Sequence, residues 1–263
     1  GLFLQQGSSG NWEVMTPFLV ELMALGAIVS SGDLPEGKNA FFAAISNFRR
    51  EGIFSAGSLL QGSTAFQGER AGLFRYSGRA VCGEASAEAK LVAVYVEQNG
   101  GPAESSRTPG ELPALEPGTP ISPPDYKHEA MFLLDRLHSC TTDPGEVVCS
   151  YTYPQDHPLT RGHFPGAPVM MGVSQWLMVE DACYVLSREL ARNGKYTLEC
   201  NADISKADGA PVCEIRQAVV DIYSGCPGIA DQADLVATRK IAFKGPVKPG
   251  EKLLIHLSGI NIK

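Results

Sequence analysis

Gly162-His163-Phe164-Pro165-Gly166-Ala167-Pro168-Val169-Met170-Met171-Gly172-Val173 is the stretch on which the reading of this 263-residue chain turns. It places one histidine between two glycines and two prolines, directly ahead of a long apolar segment. Proline rings restrict the backbone, so His163 is held for one geometry rather than left to wander. An imidazole with an ordinary pKa of about 6.5 is neutral at pH 7 and can remove an acidic proton. The segment that follows, Gly172 to Asn193, reads as a helix stopped by Gly194. Its first N–H groups lack intrahelical acceptors and can bind developing negative charge, and Gly172 carries no side chain to block the approach.

Working outward, a second apolar helix is expected at Met15 to Val29, and both helices are apolar nearly all round, which marks them as buried. Strand patterns cover Asn39 to Asn47, Ser58 to Phe66 and Gly72 to Glu97 in the first half. The second half has them at Ala130 to His138, Glu146 to Tyr153, Leu235 to Phe243 and Lys252 to Ile260. At an offset of 156 residues the halves repeat: Gly10 falls on Gly166, Met15 on Met171, Thr16 on Gly172 and Val20 on Trp176. Ala56-Gly57 and Pro249-Gly250 then end similar strand approaches, which requires an insertion of roughly 37 residues in the second half. The polar stretch 195–234 is assigned to it, as loops or a hairpin over one edge of the sheet. Residues 1–99 form the first unit, 100–124 a Pro-rich linker and 125–263 the second unit.

Composition narrows the function. The chain is 44% hydrophobic and 19% charged, with a net charge of −7, so it is globular and has no general grip on nucleic acid or an anionic membrane. Seven cysteines without a C-x-x-C pair read neither as a disulfide framework nor as a metal site, and a reducing cytoplasm is the expected setting. The run from Met15 to Val29 is too short to cross a bilayer comfortably and carries Glu21.

The His163 stretch resembles the FabZ/FabA family of hot-dog-fold 3-hydroxyacyl-thioester dehydratases, whose signature is G-H-F-P-G-x-P-[IV]-M-P-G-V; only Met171, in place of proline, departs from it. Phe243-Lys244-Gly245-Pro246-Val247-Lys248-Pro249-Gly250 and the region from Phe48 to Leu59 resemble the family's F-R-R-P-V-V-P-G-D strand. The resemblance implies an α+β double hot-dog: two curved antiparallel sheets, each around a long central helix, packed as a pseudo-dimer. It implies a lyase of fatty-acid or polyketide synthesis that turns a 3-hydroxyacyl thioester into a trans-2-enoyl thioester without cofactor or metal.

In that family the acid stands five residues after the glycine matching Gly172. Leu177 occupies that position here, whereas its repeat partner is Glu21, in Val20-Glu21-Leu22-Met23-Ala24. The position matching His163 in the first half is Gly7. Single-hot-dog relatives build their site across a dimer interface, so the resemblance implies one composite site per chain, with His163 as base, Glu21 as acid and the Gly172 N–H steadying the enolate-like oxygen. A lone carboxylate on an apolar helix could instead serve the helix dipole, but burial without a partner would raise its pKa and keep it protonated, the form an acid catalyst needs.

Phe164, Pro168, Met170, Val173 and Trp176 are expected to wall the acyl site or fill the core. Asp181 stands where the family often has a glutamine, and Glu180 and Asp181 are alternative acids near Leu177. Asp156 and His157 are read as a solvated turn or an entrance. Arg49, Arg50, Lys240, Lys244 and Lys248 are read as a solvated face or a basic rim. The implied partners are an acyl thioester on the phosphopantetheine arm of acyl carrier protein or coenzyme A, neighbouring synthase domains and a possible homodimer of pseudo-dimers. Enoyl isomerisation and a non-catalytic acyl- or carrier-binding scaffold are the alternatives. Because the family continues into further strands beyond the counterpart of Ile260, the chain is expected to be a piece of a multidomain synthase or to cover that sheet differently.

Overall fold

A computed structural model describes residues 1–8, 10–30, 36–97, 117–142, 145–160, 163, 168–190, 192–227 and 229–263. A small hairpin of β1 (Leu4–Gln6) and β2 (Trp12–Val14) leads into α1 (Thr16–Ser30), followed by β3 (Lys38–Glu51), β4 (Gln61–Arg70), β5 (Leu73–Cys82) and β6 (Ala85–Glu97). The rest of the chain forms β7 (Thr119–Pro120), β8 (Arg136–Thr142), β9 (Gly145–Thr152), α2 (Gly172–Glu189), β10 (Gly194–Lys206), β11 (Pro211–Ser224), β12 (Gln232–Phe243) and β13 (Lys252–Ile262). Eleven strands make one antiparallel sheet in the order β4-β5-β6-β3-β12-β11-β10-β13-β9-β8-β7. The β3·β12 pairing, with Ile45 opposite Ile241, fuses the two halves. Helix α1 lies on the first half, chiefly against β4 and β5, and α2 on the second, against β11 and β12; the helices also touch each other. This is the double hot-dog.

Outward from the central seam the first half runs β6, β5, β4 and the second runs β11, β10, β13. The β5–β6 and β10–β11 hairpins therefore hold equivalent slots, although the first follows β3 and β4 in the chain while the second precedes β12 and β13. This corrects the expectation for 195–234: the inserted residues form β10 and β11, inside the sheet rather than over its edge. Their polarity misleads because only alternate residues (Tyr196, Leu198, Cys200, Ala202 and Ile204) face the core, and the residues between them face outward. The same hairpin occupies the slots where further strands were expected after Ile260.

The expected strand at Ala130 to His138 is only partly formed. A 3₁₀ turn spans Glu129–Met131, and β8 begins at Arg136. Between them Met131, Phe132, Leu133 and Leu134 are buried in succession, a pattern no strand with one wet face can show. They cap the outer face of α2, where the Phe132 and Tyr126 rings lie 6.3 and 5.7 Å from that of Tyr184. Covered in this way, α2 is buried from Val173 through Ser187, whereas α1 leaves Leu25 53% and Val29 80% exposed. Helix α2 ends at Glu189, ahead of the expected stop; Gly194, at φ 106°, instead opens β10. Most of the Pro-rich linker lies outside the described residues, and its end contributes the edge strand β7. All seven cysteines are free thiols. Among the described residues no helix is long and apolar enough to cross a membrane.

Candidate active site

A cavity of about 340 Å³ opens between the units, lined by Glu21, Ala24 and Leu25 of α1, by His163 ahead of α2, by Gly172, Val173 and Gln175 at the start of α2, and by Phe243 and Lys244 where β12 ends. Val169 and Met170 also line it. His163 and Glu21, which lie in different halves of the chain, thus face one space. Phe164 lies outside the described residues, and Pro168 is exposed.

Glu21 is the sole charged residue of α1, on a helix whose other side chains are almost all apolar. Burial pushes its carboxyl up to about 7. At neutral pH a large fraction of it carries a proton. Burial pushes His163 the opposite way, below the usual imidazole range, with a hydrogen bond to Val169 opposing that fall. The contact is 2.9 Å from Nδ1 to the carbonyl oxygen of Val169. A carbonyl only accepts, so Nδ1 holds the proton and Nε2 is the basic nitrogen. The cavity thus combines a neutral imidazole base and a protonated carboxylic acid, the two states that proton abstraction and leaving-group protonation require.

Gly172 opens α2, whose N-cap residue Met171 offers no side-chain hydrogen bond to the first turn. A Cβ at this position would lie 3.1 Å from two ring carbons of Phe243. The glycine therefore admits an aromatic ring against the helix N-terminus.

The other expected residues are placed elsewhere. Trp176 is wholly buried, edge-on to Phe48 at 4.7 Å, and belongs to the core rather than the cavity wall. Asp181 lies outside the cavity lining: it is fully buried, ion-paired with Lys127, and accepts the N–H of Leu133 at 2.7 Å. A carboxylate committed in this way is a structural tie between α2 and the segment that caps it. Glu180 accepts the Trp176 indole N–H at 2.9 Å and the Leu235 N–H at 3.2 Å, and burial raises its pKa well above the usual range. His157 is buried as well, in contact with the Ala130 carbonyl at 2.7 Å and accepting the Leu159 N–H, so it forms neither a solvated turn nor an entrance. Of the basic residues, Lys244 reaches the cavity, while Arg50 is tied to Asp234 at 2.5 Å and to Thr16 at 2.7 Å.

Among the described residues the repeat-related position is filled. Where the cavity has Val20, Glu21, Ala24 and Leu25, α2 has Trp176, Leu177, Glu180 and Asp181, all buried. Gly7 replaces the histidine, and a Cβ there would fall 1.6 Å from the carboxylate oxygen of Glu13. Thr16, at the counterpart of Gly172, is bonded to Asp234 at 2.5 Å. Bulk and a buried polar network fill what would be the second site. One residue escaped sequence reading: Gln175 lines the cavity, and on a helix that also carries Ser174, Glu180 and Asp181 its spacing does not set it apart.

No protein-family model matches the chain, and no curated protein matches it. Solved structures do. A protein described as a thioesterase from Novosphingobium aromaticivorans is similar at 13% identity, over 98% of this chain and 92% of that one, with a TM-score of 0.43. The dehydratase domain of RzxB from Pseudomonas fluorescens is 12% identical over 92% and 90% of the two chains, at a TM-score of 0.40. The dehydratase domain of the CurK module of the curacin polyketide synthase is 8% identical over 95% and 84%, at a TM-score of 0.43.

Proposed function

We propose that this chain removes water from a 3-hydroxyacyl thioester, carried on the phosphopantetheine of acyl carrier protein or coenzyme A, to give a trans-2-enoyl thioester. The observation that carries the reading is the single cavity lined by His163 from one unit and Glu21 from the other. The thioester carbonyl sits at the start of α2, where the Gly172 N–H bonds its oxygen. His163 Nε2 takes the α-proton, and the electron pair passes toward the carbonyl as an enolate-like oxygen steadied by that N–H. As the pair returns to form the α,β double bond, the β-hydroxyl departs with the proton of Glu21 as water. The acid ends as carboxylate and the imidazole as imidazolium, and one proton returned through solvent resets both. Lys244, at the cavity wall, suits the anionic end of a phosphopantetheine arm. The chain works in the cytoplasm, within fatty-acid or polyketide synthesis.

The test is turnover of 3-hydroxybutyryl-pantetheine, followed by enoyl absorbance. His163→Ala and Glu21→Gln should each lower the rate by at least 100-fold while the chains stay folded by circular dichroism. Undiminished elimination in either variant overturns the proposal; absent elimination in the parent chain, with acyl-carrier binding retained, favours a scaffold.

A further inference from the structure

Gln175 stands out from the rest of the cavity wall. It is 3% exposed, and among the described residues its Oε1 accepts no hydrogen bond. An amide oxygen kept out of water without a partner costs about 1–3 kcal/mol, and native interiors rarely carry such a group without a use for it. Its repeat counterpart, Leu19, is apolar and fully buried. Of the two repeat-related positions, only the one on α2 carries a polar side chain, and it lines the cavity.

Gln175 follows Gly172 by one turn, so it shares that face of α2 and lies about 4.5 Å further along the axis. A thioester carbonyl held at Gly172 has its β-carbon two bonds away, and the hydroxyl on that carbon falls within reach of a glutamine one turn deeper. Resting on the dehydration reading, we infer that Gln175 is a substrate-binding and specificity-determining residue that accepts the hydrogen of the substrate's 3-hydroxyl. The hydroxyl oxygen then keeps its lone pairs for the proton held by Glu21. Gln175 selects hydroxylated chains over saturated ones, because an acyl chain without the hydroxyl leaves the buried amide unpaired.

The probes are the pantetheine amides of 3-hydroxybutyrate and butyrate, which share a carbonyl but resist elimination because an amide acidifies its α-proton less than a thioester does. Calorimetric titration of the parent chain should show the hydroxylated amide binding tenfold or more tightly than the saturated one. Gln175→Leu should abolish that difference, lower kcat/KM for the hydroxyacyl thioester by tenfold or more, and leave the melting temperature unchanged or raised, since it removes an unpaired polar group. Gln175→Asn, a shorter amide, serves as a second variant if the leucine chain does not fold, and should recover the preference in part. Equal loss of affinity for both amides marks Gln175 as mere wall and overturns the inference, as does retained hydroxyl preference in Gln175→Leu. A parent chain that prefers the hydroxylated amide through Gln175 yet eliminates no water would sink the dehydratase reading and leave this subsite standing. Unaltered dehydration by Gln175→Leu would do the reverse.

Discussion

Glu21 concentrates the chemistry of the site in one titration. Its carboxyl has a pKa of about 7 when folded against an ordinary value of 4.5. Below pH 4.5 both states hold the proton and burial costs nothing electrostatic. As the pH rises to 7 the unfolded chain ionises first, so stability falls by about 3 kcal/mol as an upper figure, since water entering the cavity reduces it; above 7 the loss is complete. Glu21→Gln, which never ionises, should match the parent near pH 4.5 and exceed it in melting temperature at pH 8. A parallel fall in both chains would show that Glu21 is not the group responsible. The same titration shapes catalysis: kcat/KM should be bell-shaped, its acid limb below pH 6.5 from His163, which burial depresses, and its alkaline limb near 7 from Glu21. An alkaline limb that survives Glu21→Asp at an unchanged position would assign it to another group.

At the scale of elements, the N-terminus of α2 and the segment packed outside it are held by different means. Gly172 and the Phe243 ring, which lines the cavity, meet so closely that Gly172→Ala forces the ring to move by a few tenths of an ångström. Activity on 3-hydroxybutyryl-pantetheine should fall about tenfold, with a melting temperature within a few degrees of the parent, because the helix itself gains from alanine. Unchanged activity would mean that Phe243 does not shape the site. Outside α2, the Lys127–Asp181 pair sits in the core. Lys127→Met should cost about 3–5 kcal/mol by stranding a buried carboxylate, while the double change Lys127→Met with Asp181→Leu should recover most of it. Urea unfolding of the four chains measures this; a double variant no better than the single would assign Asp181 a role beyond the pair.

Across the whole molecule, one fused sheet carries two helices of unlike fate. Helix α1 borders an open cavity through Val20, Glu21 and Ala24, and α2 presents Trp176, Leu177 and Glu180 at the corresponding places, with Glu13 against Gly7. The arrangement predicts one working centre per chain. Moving the acid, by Leu177→Glu in a Glu21→Gln background, should not restore dehydration and should lower the melting temperature by several degrees, because the new carboxyl enters a filled core and the position that would supply its histidine is Gly7. Recovered turnover would show that the second position is a usable site. The β10–β11 hairpin belongs to the same scale: filling slots that β5 and β6 fill in the other half, it keeps the sheet closed around α2 although it arrives earlier in the chain.

Local chemistry made much of this legible. A histidine among glycines and prolines before an apolar helix, a lone glutamate in another such helix, and the 156-residue offset relating them are properties of residue type and spacing that single out His163 and Glu21, while the fold was legible through the resemblance of the His163 stretch to hot-dog dehydratases. Sequence could not say which polar residues the fold would commit elsewhere. Asp181 shares Leu177's helical face, yet Lys127, far away in the chain, claims it; 195–234 looks like loops, yet its alternate residues fill the middle of the sheet. Nor could it single out Gln175, whose meaning depends on which wall of the helix was left uncovered. Periodicity and motif spacing act over a few turns, whereas partners for buried polar groups are supplied by whatever the folded sheet brings alongside, and that only the tertiary structure decides.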